Sequence, residues 1–422
     1  MYKLHFILKQ HTPLIHFQPE QEGATLRATE VKPKLDRFII EKIGNQIKTE
    51  WFNDAEHGSL NYKLRIEKTG KRKFTDLINV KIAHKKIPGT DRTKESLHSD
   101  ELDGYFGNMM KIEEFKSFSK IPKKVSYYHE LKCSIIFFDL SFKNEVERIH
   151  EEFFMVTNFG TRQSKGFGSF TVHNGAINNR LFYKHFTVTA NNPIELFSKL
   201  NYFYKSIRSG INLKDRDNND TFYLKSLLFL FYRHSATPVQ WEKKTIKEKW
   251  VNIQLITKQI SDRGLSIEMD QSAYSSNNKK IIKDLLGLSM EEQWLSYKIN
   301  LKKKNVNENN SERNKNELIE RFKSPITFKI VQLNPTSFQI GLLLDTSVSI
   351  ADEWFSFESK GNQAFALQVD NNFSLHSYID WLCNQNSFNI EDLMPLGKSY
   401  RAKHGIHVYE TLKSIFRQLQ NR

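Results

Sequence analysis

The segment 132–142, KCSIIFFDLSF, is the best candidate for a buried strand in this chain. β-Branched and aromatic residues dominate it, and such residues favour a strand at the centre of a sheet. The segment 144–154 behind it is predicted to be helical, and a short strand is predicted at 167–173. A strand, a helix and a second strand in this order form one βαβ unit.

A similar unit precedes it in the chain. Residues 2–8 alternate apolar and polar side chains, which predicts a strand. The segment 28–52 has apolar residues at helical spacing, and Pro33 is expected at or before the first turn of this helix. Downstream, the sequence predicts strands at 60–68 and 77–84, and a long polar loop or insertion at 85–124. The full order, β-α-β-β…β-α-β, predicts an α+β, ferredoxin-like sheet with helices on one face.

A second half is predicted to begin near residue 187, which divides the chain into domains 1–186 and 187–422. Helices are predicted at 193–208, 221–234, 373–384 and 408–419, and strands at 250–257, 325–333 and 337–344. The segment 300–320 is rich in Asn, Lys and Glu, and is predicted to be a mobile loop or a solvated helix. The second domain is expected to be either another domain of the first kind or a helical, α+β appendage.

The charge balance points to a polyanionic partner. The chain has 63 Lys and Arg against 48 Asp and Glu, a formal net charge of +15. Such an excess is typical of proteins that bind nucleic acid or an acidic membrane surface, although a basic protein without such a partner is the alternative. No apolar run approaches the roughly 18 residues that span a bilayer, so we expect a cytoplasmic protein that contacts no membrane.

The cysteine content argues against metal or disulfide chemistry. Cys133 and Cys383 stand far apart and are too few for a disulfide framework or a clustered zinc site. No HExxH motif, nucleotide-binding loop or Ser-His-Asp order is present. We therefore expect no metal and no cofactor.

The glycine-rich segment 160–170, GTRQSKGFGSF, is the most informative for function. Its glycines permit positive φ and a close approach of the backbone to a ligand, and its amides are predicted to face phosphate oxygens. Arg162 and Lys165 add positive charge, and Phe167 is predicted to stack on a base. The structural alternative is a glycine-rich hairpin with a solvated basic tip.

Three sequence elements resemble the RAMP superfamily, the ferredoxin-fold RNA-binding subunits of CRISPR effector complexes. They are Thr-Pro-Leu at 12–14 with Gly-Ala-Thr-Leu-Arg at 23–27, Tyr-Phe-Gly at 105–107, and the glycine-rich loop at 162–170. They occur in the family's order. The layout, with Arg-Phe-Lys-Ser-Pro-Ile at 321–326, is most similar to the first RAMP subunit of Cmr-type (type III-B) complexes.

The resemblance implies two ferredoxin-like (RRM-like) RAMP domains with helical insertions, and an antiviral ribonucleoprotein as the setting. Guide or target RNA and other effector subunits would be the partners. Lys34 and Arg37, three residues apart, would share one face of the first helix, for which an ordinary solvated face is the alternative. The expected RNA-binding residues are Arg27, Lys34, Arg37, Arg162, Gln163, Ser164, Lys165, Gly166, Phe167 and Gly168.

Catalysis is the open question at this stage. The main interpretation is a non-catalytic subunit that grips the RNA backbone. The alternative is a metal-independent endoribonuclease that processes guide RNA with a histidine general base, for which His16 is the first candidate and His129 the second. An aspartate in a loop, Asp100 or Asp103, is the analogous candidate for cleavage of target RNA. A third interpretation is a basic scaffold that contacts only proteins.

Overall fold

A computed structural model gives the fold as α+β. It describes residues 1–15, 25–69, 73–76, 80–86, 93–99, 124–127, 130–214, 221–234, 239–251, 278–294, 297, 299–313, 318–347, 349–394 and 405–421. The chain divides into two compact units, each built from two segments. The first unit comprises Met1–Leu200 and Thr327–Leu343, and the second comprises Asn201–Ile326 and Leu344–Arg422.

The helices and strands alternate irregularly along the chain. The helices are α1 Ala28–Ile43, α2 Leu140–Val156, α3 Pro193–Arg208, α4 Leu227–Arg233, α5 Glu242–Trp250, α6 Leu375–Cys383 and α7 Ile406–Gln420. The strands are β1 Tyr2–Gln10, β2 Phe52–Asp54, β3 Ser59–Leu60, β4 Tyr62–Thr69, β5 Lys73–Asp76, β6 Val80–Lys86, β7 Thr93–Ser99, β8 Lys124–Tyr127, β9 Glu130–Phe137, β10 Phe170–Val172, β11 Lys184–Thr189, β12 Ile211–Lys214, β13 Thr221–Leu224, β14 Gln240–Trp241, β15 Lys279–Ile281, β16 Glu291–Trp294, β17 Ile299–Val306, β18 Ile326–Asn334, β19 Ser337–Leu344, β20 Trp354–Glu358 and β21 Phe365–Val369.

A four-stranded antiparallel sheet organises the first unit. Its strand order is β10-β1-β9-β4, and β1 pairs with β9 along nearly its whole length. Side chains alternate across this sheet, so that Leu4, Phe6 and Leu8 of β1 are buried whereas Lys3 and His5 are exposed. Buried residues of α1 and α2 complete the same core, which places both helices against one face of the sheet.

The start of α2 shows how local sequence ends a strand. Asp139 caps the helix, because its carboxylate accepts hydrogen bonds from the Phe142 N–H (2.7 Å) and the Trp51 indole N–H (3.1 Å). Hydrogen bonds from Ser141 and Phe142 lower the pKa of Asp139. The predicted strand 132–142 is therefore too long: β9 ends at Phe137, and residues 140–142 belong to α2.

The first helix differs from its predicted bounds in two ways. It ends at Ile43, because Gly44 adopts a positive φ of 56°, and the chain reaches β2 at Phe52 through short 3₁₀ turns. Pro33 lies in the second turn, not at or before the first. A proline there removes the N–H that would otherwise donate to Thr29 O within the helix.

Part of the segment 85–124 is a strand and not a loop. Strand β7 pairs with β6 as an antiparallel hairpin, in which His84 lies opposite Glu95. The first unit also contains a three-stranded sheet of order β11-β19-β18. The predicted strands at 2–8, 60–68, 325–333 and 337–344 and the predicted helices at 193–208, 373–384 and 408–419 are confirmed with small changes of their ends.

The second unit contains a mixed six-stranded sheet of order β14-β15-β21-β20-β17-β16, with parallel pairing of β15 to both neighbours. Its strand order does not repeat that of the four-stranded sheet. The segment 221–234 contains strand β13 before helix α4, so the single predicted helix is wrong. The predicted strand 250–257 begins at the last residue of α5, and residues 252–257 lie outside the described residues.

The prediction of a mobile loop or a solvated helix for the segment 300–320 is wrong at the start of that segment. Its first residues form β17, in which buried and exposed side chains alternate. Lys303 is buried between two carboxylates, 2.6 Å from Asp284 Oδ2 and 2.9 Å from Glu292 Oε1, and these charges raise its pKa despite burial. A lysine predicts exposure by its type, but Lys303 is paired with carboxylates inside the fold. The polar composition of the segment therefore gave no sign of the strand.

Two adjacent isoleucines test the assignment of the two faces of the sheet. Ile135→Ala is expected to lower the free energy of unfolding by about 3 kcal/mol, because Ile135 is fully buried in β9. Ile136→Ala removes the same atoms from the half-buried opposite face and should cost less than about 1 kcal/mol. Urea denaturation measures both, and equal losses would contradict the assignment.

Candidate nucleic-acid interface

The glycine-rich loop follows α2 and returns the chain to the edge of the four-stranded sheet. Asn158 forms an isolated antiparallel bridge with Ser169, and the strand predicted at 167–173 is the shorter β10. Gln163–Lys165 form one 3₁₀ turn, flanked by Arg162 at φ 57° and Gly166 at φ 90°. The loop tip, residues 161–165, is half-buried, whereas residues 166–170 are buried.

The three glycines of the loop approach protein atoms, not an open ligand site. Gly160, Gly166 and Gly168 have φ of 77°, 90° and 64°. A Cβ at Gly168 would overlap the carbonyl oxygen of Phe159, and one at Gly166 would overlap the side chain of Ile330. The predicted close approach therefore exists, but its partner is the fold itself.

Most amides of the loop are likewise used inside the protein. The N–H of Gly168 donates to Pro13 O (2.8 Å), and that of Thr161 donates to Ile15 O (2.8 Å). The N–H of Gly160 donates to the carboxylate of Glu30. Within the described residues, the amides of Gln163 and Ser164 donate no hydrogen bond. Of the amides that were predicted to face phosphate oxygens, this pair at the loop tip remains available for that role.

Lys34 joins the first helix to the loop. Its ammonium donates to Asn158 O and to Gln163 Oε1, both at 2.9 Å, and lies 4.9 Å from the centre of the Phe159 ring. The Gln163 side chain also donates to Gly160 O (2.6 Å). The two basic clusters that the sequence placed on separate segments are therefore parts of one surface.

The charges of this surface come from both elements. Arg27, directly before α1, and Arg37 on α1 are exposed, and Arg162 and Lys165 on the loop are half-buried. Lys34 adds its charge to this surface, and its ammonium donates hydrogen bonds to Asn158 O and Gln163 Oε1. Together they concentrate positive charge where the sequence predicted phosphate contacts.

Phe167 does not have its predicted role in this structure. Its ring is fully buried and stacks on Phe197, with 3.9 Å between ring centres and 12° between ring planes. A ring held in this way cannot stack on a base. The residue instead anchors the loop to α3, because alternation of Phe167 with two glycines directs it into the core.

Two buried polar residues that were not predicted to contact the loop hold it by hydrogen bonds. Lys329 of β18 donates to Thr157 O (2.8 Å) and Phe170 O (2.9 Å), and burial lowers its pKa well below the ordinary range. Thr12 donates to Gly166 O (2.7 Å) and accepts from Ser169 N–H (2.9 Å). A single lysine inside the apolar run ITFKIVQL was the available signal for Lys329.

His11 lies in the same network and has a defined tautomer. Its Nδ1 accepts from the Gln332 N–H (3.0 Å), so the ring proton lies on Nε2, which donates to Thr171 Oγ1 (2.7 Å). Burial, followed by the charges of Lys329 and Lys9, holds the pKa of His11 well below its ordinary value. Both ring nitrogens are engaged, so this histidine has no free group for acid–base chemistry.

The other candidate residues cannot be placed. His16, Asp100, Asp103, His129 and residues 105–107 lie outside the described residues. Among the described residues, no group of three or more His, Cys, Asp or Glu side chains could hold a metal ion. Cys133 and Cys383 are buried free thiols, and burial raises the pKa of Cys133 to about 12. Of the helices in the described ranges, none has the length and apolarity needed to cross a membrane.

Comparisons with known proteins cover nearly the whole chain. The family model described as the Cmr1 N-terminal domain matches residues 1–211, and the one described as the Cmr1 C-terminal domain matches residues 223–402. The chain is also similar to a chain of a solved structure described as "Cryo-EM structure of the Type III-B Cmr-beta bound to cognate target RNA". Sequence identity there is 12% and the TM-score is 0.26. The alignment covers 41% of this chain and 58% of that chain. No curated protein matches.

The packing role of the loop glycines has a matched test. Gly168→Ala is expected to lower the free energy of unfolding by more than about 4 kcal/mol, because the new methyl group would overlap backbone. Gly58 has nearly the same φ, 63°, but its nearest neighbour would be Ile40 Cδ1 at an ordinary 3.4 Å. Gly58→Ala should therefore cost only about 1 to 2 kcal/mol. Urea denaturation of both variants decides, and similar costs would contradict the packing role.

The environment of His11 predicts a dependence of stability on pH. The pKa of His11 is lower in the folded than in the unfolded chain, so the unfolded chain binds the proton first as the pH falls. The contribution of His11 to the free energy of unfolding is therefore fully present above about pH 6.5 and decreases below it. The slope from this residue reaches about 1.4 kcal/mol per pH unit. His11→Asn, which keeps an acceptor near the position of Nδ1, should flatten the slope in urea denaturation between pH 6.5 and the folded pKa. His5→Asn, at an exposed position of β1, is the control, and an unchanged slope in His11→Asn would refute the assignment.

Proposed function

We propose that this chain, which belongs to the Cmr1 family, is an RNA-binding subunit of a CRISPR effector ribonucleoprotein in the cytoplasm. One observation carries the proposal beyond the family. Lys34 joins the cations of α1 to those of the glycine-rich loop, which makes a single basic surface from two segments more than 100 residues apart. Its partners would be guide or target RNA and the other subunits of the effector.

The first unit is inferred to be a ferredoxin-like domain of the RAMP type. Its four-stranded sheet is antiparallel throughout, and α1 and α2 follow β1 and β9 in the chain. Strand order β10-β1-β9-β4 interleaves the two βαβ units, as in a split βαβ fold. The mixed sheet of the second unit does not support a second domain of this kind.

RNA would be held through its backbone. Arg27, Arg37, Arg162 and Lys165 supply the charge that neutralises phosphates, and the amides of Gln163 and Ser164 add two donors at the loop tip. Gly166, Gly168 and the buried ring of Phe167 hold the loop in shape without touching RNA. Such contacts position RNA without reading its sequence, and their strength depends on salt.

The described residues support an RNA-binding subunit that does not cleave RNA more than they support an endoribonuclease. The surface offers cations and amides, whereas a metal-independent ribonuclease needs a group that accepts a proton near neutral pH. His11, the histidine beside the loop network, is buried with both nitrogens engaged. The four candidates that the sequence offers for a nuclease, His16, His129, Asp100 and Asp103, lie outside the described residues.

The joint surface is tested by reversing one charge on each element. Arg37→Glu/Arg162→Glu should weaken binding of a fluorescein-labelled single-stranded RNA about tenfold or more, and lower the slope of log K against log salt by about 1.4. Fluorescence anisotropy measures both quantities. Lys279→Glu/Lys360→Glu makes the same change of net charge at exposed residues of the second unit, and should bind almost as wild type.

Two outcomes would contradict the proposal. RNA affinity unchanged in Arg37→Glu/Arg162→Glu would remove this surface from RNA binding. Repeat RNA cut by the wild type in EDTA, but left intact by His16→Ala, would replace the binding subunit by the endoribonuclease.

A further inference from the structure

Within the described ranges, the residues on the second face of the first unit's four-stranded sheet are not part of the core that α1 and α2 complete. This face consists of the odd-numbered residues of β1 and β4 and the even-numbered residues of β9, which the strand register places side by side. Lys3, Ile136 and Lys63 form one row, and His5, Ser134 and Arg65 form the next. We call this surface the open face. Helices α1 and α2 contribute to the core on the opposite face.

The open face is strongly basic. It carries five cations (Lys3, Lys9, Lys63, Arg65 and Lys132) and two carboxylates (Glu67 and Glu130), a net of three positive charges with histidine neutral. All of these cations except the half-buried Lys9 are exposed. No side chain of the five forms an ion pair or hydrogen bond with any residue of the described ranges.

This arrangement is costly for the free protein. Like charges on neighbouring strands repel one another across a sheet, and here Lys3 and Lys63 flank the same residue of β9. An extended array of one sign attracts a polyanion. A second copy of the chain is disfavoured as the occupant, because two identical basic faces would repel.

The side chains between the cations favour single-stranded RNA over an acidic protein. Ile7 and Ile136 are half-buried on the two central strands of the face, and Phe138, which continues the even-numbered series beyond β9, is 47% exposed. On β4, the cations Lys63 and Arg65 are two residues apart, about 6.8 Å along the strand. Basic groups that follow a backbone beside an exposed ring are the usual means of holding a single strand.

We propose that the open face is a second RNA-binding surface, which holds single-stranded RNA by its phosphates on the side of the sheet opposite α1 and α2. The inference rests on the proposed function, and it extends the RNA footprint beyond the glycine-rich loop. Lys63, Arg65, Lys3 and Lys132 contact phosphates, and Phe138 stacks on a base at one end.

The full-length chain with a fluorescein-labelled single-stranded RNA of mixed sequence provides the test. Lys63→Glu/Arg65→Glu should weaken binding about tenfold or more at low salt, and lower the slope of log K against log salt by about 1.4, since two phosphate contacts are lost. The control with the same change of net charge is Lys279→Glu/Lys360→Glu. Combined with Arg37→Glu/Arg162→Glu, the losses should add in log units, because the two surfaces share no residue.

If Lys63→Glu/Arg65→Glu fails to fold, Lys3→Gln/Lys132→Gln tests RNA binding by the open face instead. It removes two charges without introducing carboxylates, and it should lower the salt slope by the same amount. Thermal melting of each variant confirms that the fold is retained.

The possible failures are distinguishable. Open-face variants that bind RNA as wild type does, while Arg37→Glu/Arg162→Glu is weakened, would overturn this inference alone. A wild-type chain that binds no RNA would overturn both the inference and the proposed function. Open-face variants that keep full RNA affinity but no longer co-purify with the effector's protein subunits would make the face a protein-docking surface and overturn its assignment to RNA.

Discussion

Gly168 lies against the carbonyl oxygen of Phe159 so closely that any side chain would overlap it, and its N–H donates to Pro13 O. Three segments meet at this contact: the chain after β1, the chain after α2, and the approach to β10. Because backbone atoms are in direct contact there, the packing restricts the conformation of the loop tip. The positions of Arg162 and of the Gln163 side chain, and through it the contact with α1, follow from this packing.

Buried polar groups beneath the loop add hydrogen bonds to the packing of the glycines. Lys329, Thr12 and His11 satisfy carbonyls and hydroxyls under the loop with direct hydrogen bonds, so the loop does not need a ligand to be ordered. A loop shaped in advance loses less conformational entropy when it binds. The proposed RNA contacts therefore come from side chains at the tip of a rigid support.

Lys303 and Lys329, two of the buried lysines of the described residues, show how surroundings decide the behaviour of one residue type. Lys303 faces the carboxylates of Asp284 and Glu292, and its pKa is raised. Lys329 faces backbone carbonyls and one amide oxygen, and its pKa is lowered. Burial opposes the charge in both cases, and only the paired carboxylates outweigh it. Neither outcome follows from the presence of a lysine in a strand.

The sequence by itself determined the first sheet's strands, the helix of residues 193–208 and the positive φ of the loop glycines, because periodicity and glycine spacing are local properties. It failed at the end of α1, in the strand β17 and for Phe167, where a positive φ, a buried ion pair and a partner ring decided the result. Only the tertiary structure joined Lys34 to the loop and gathered the cations of the open face. Contacts between strands and between distant segments depend on register and packing, which no single stretch of sequence contains.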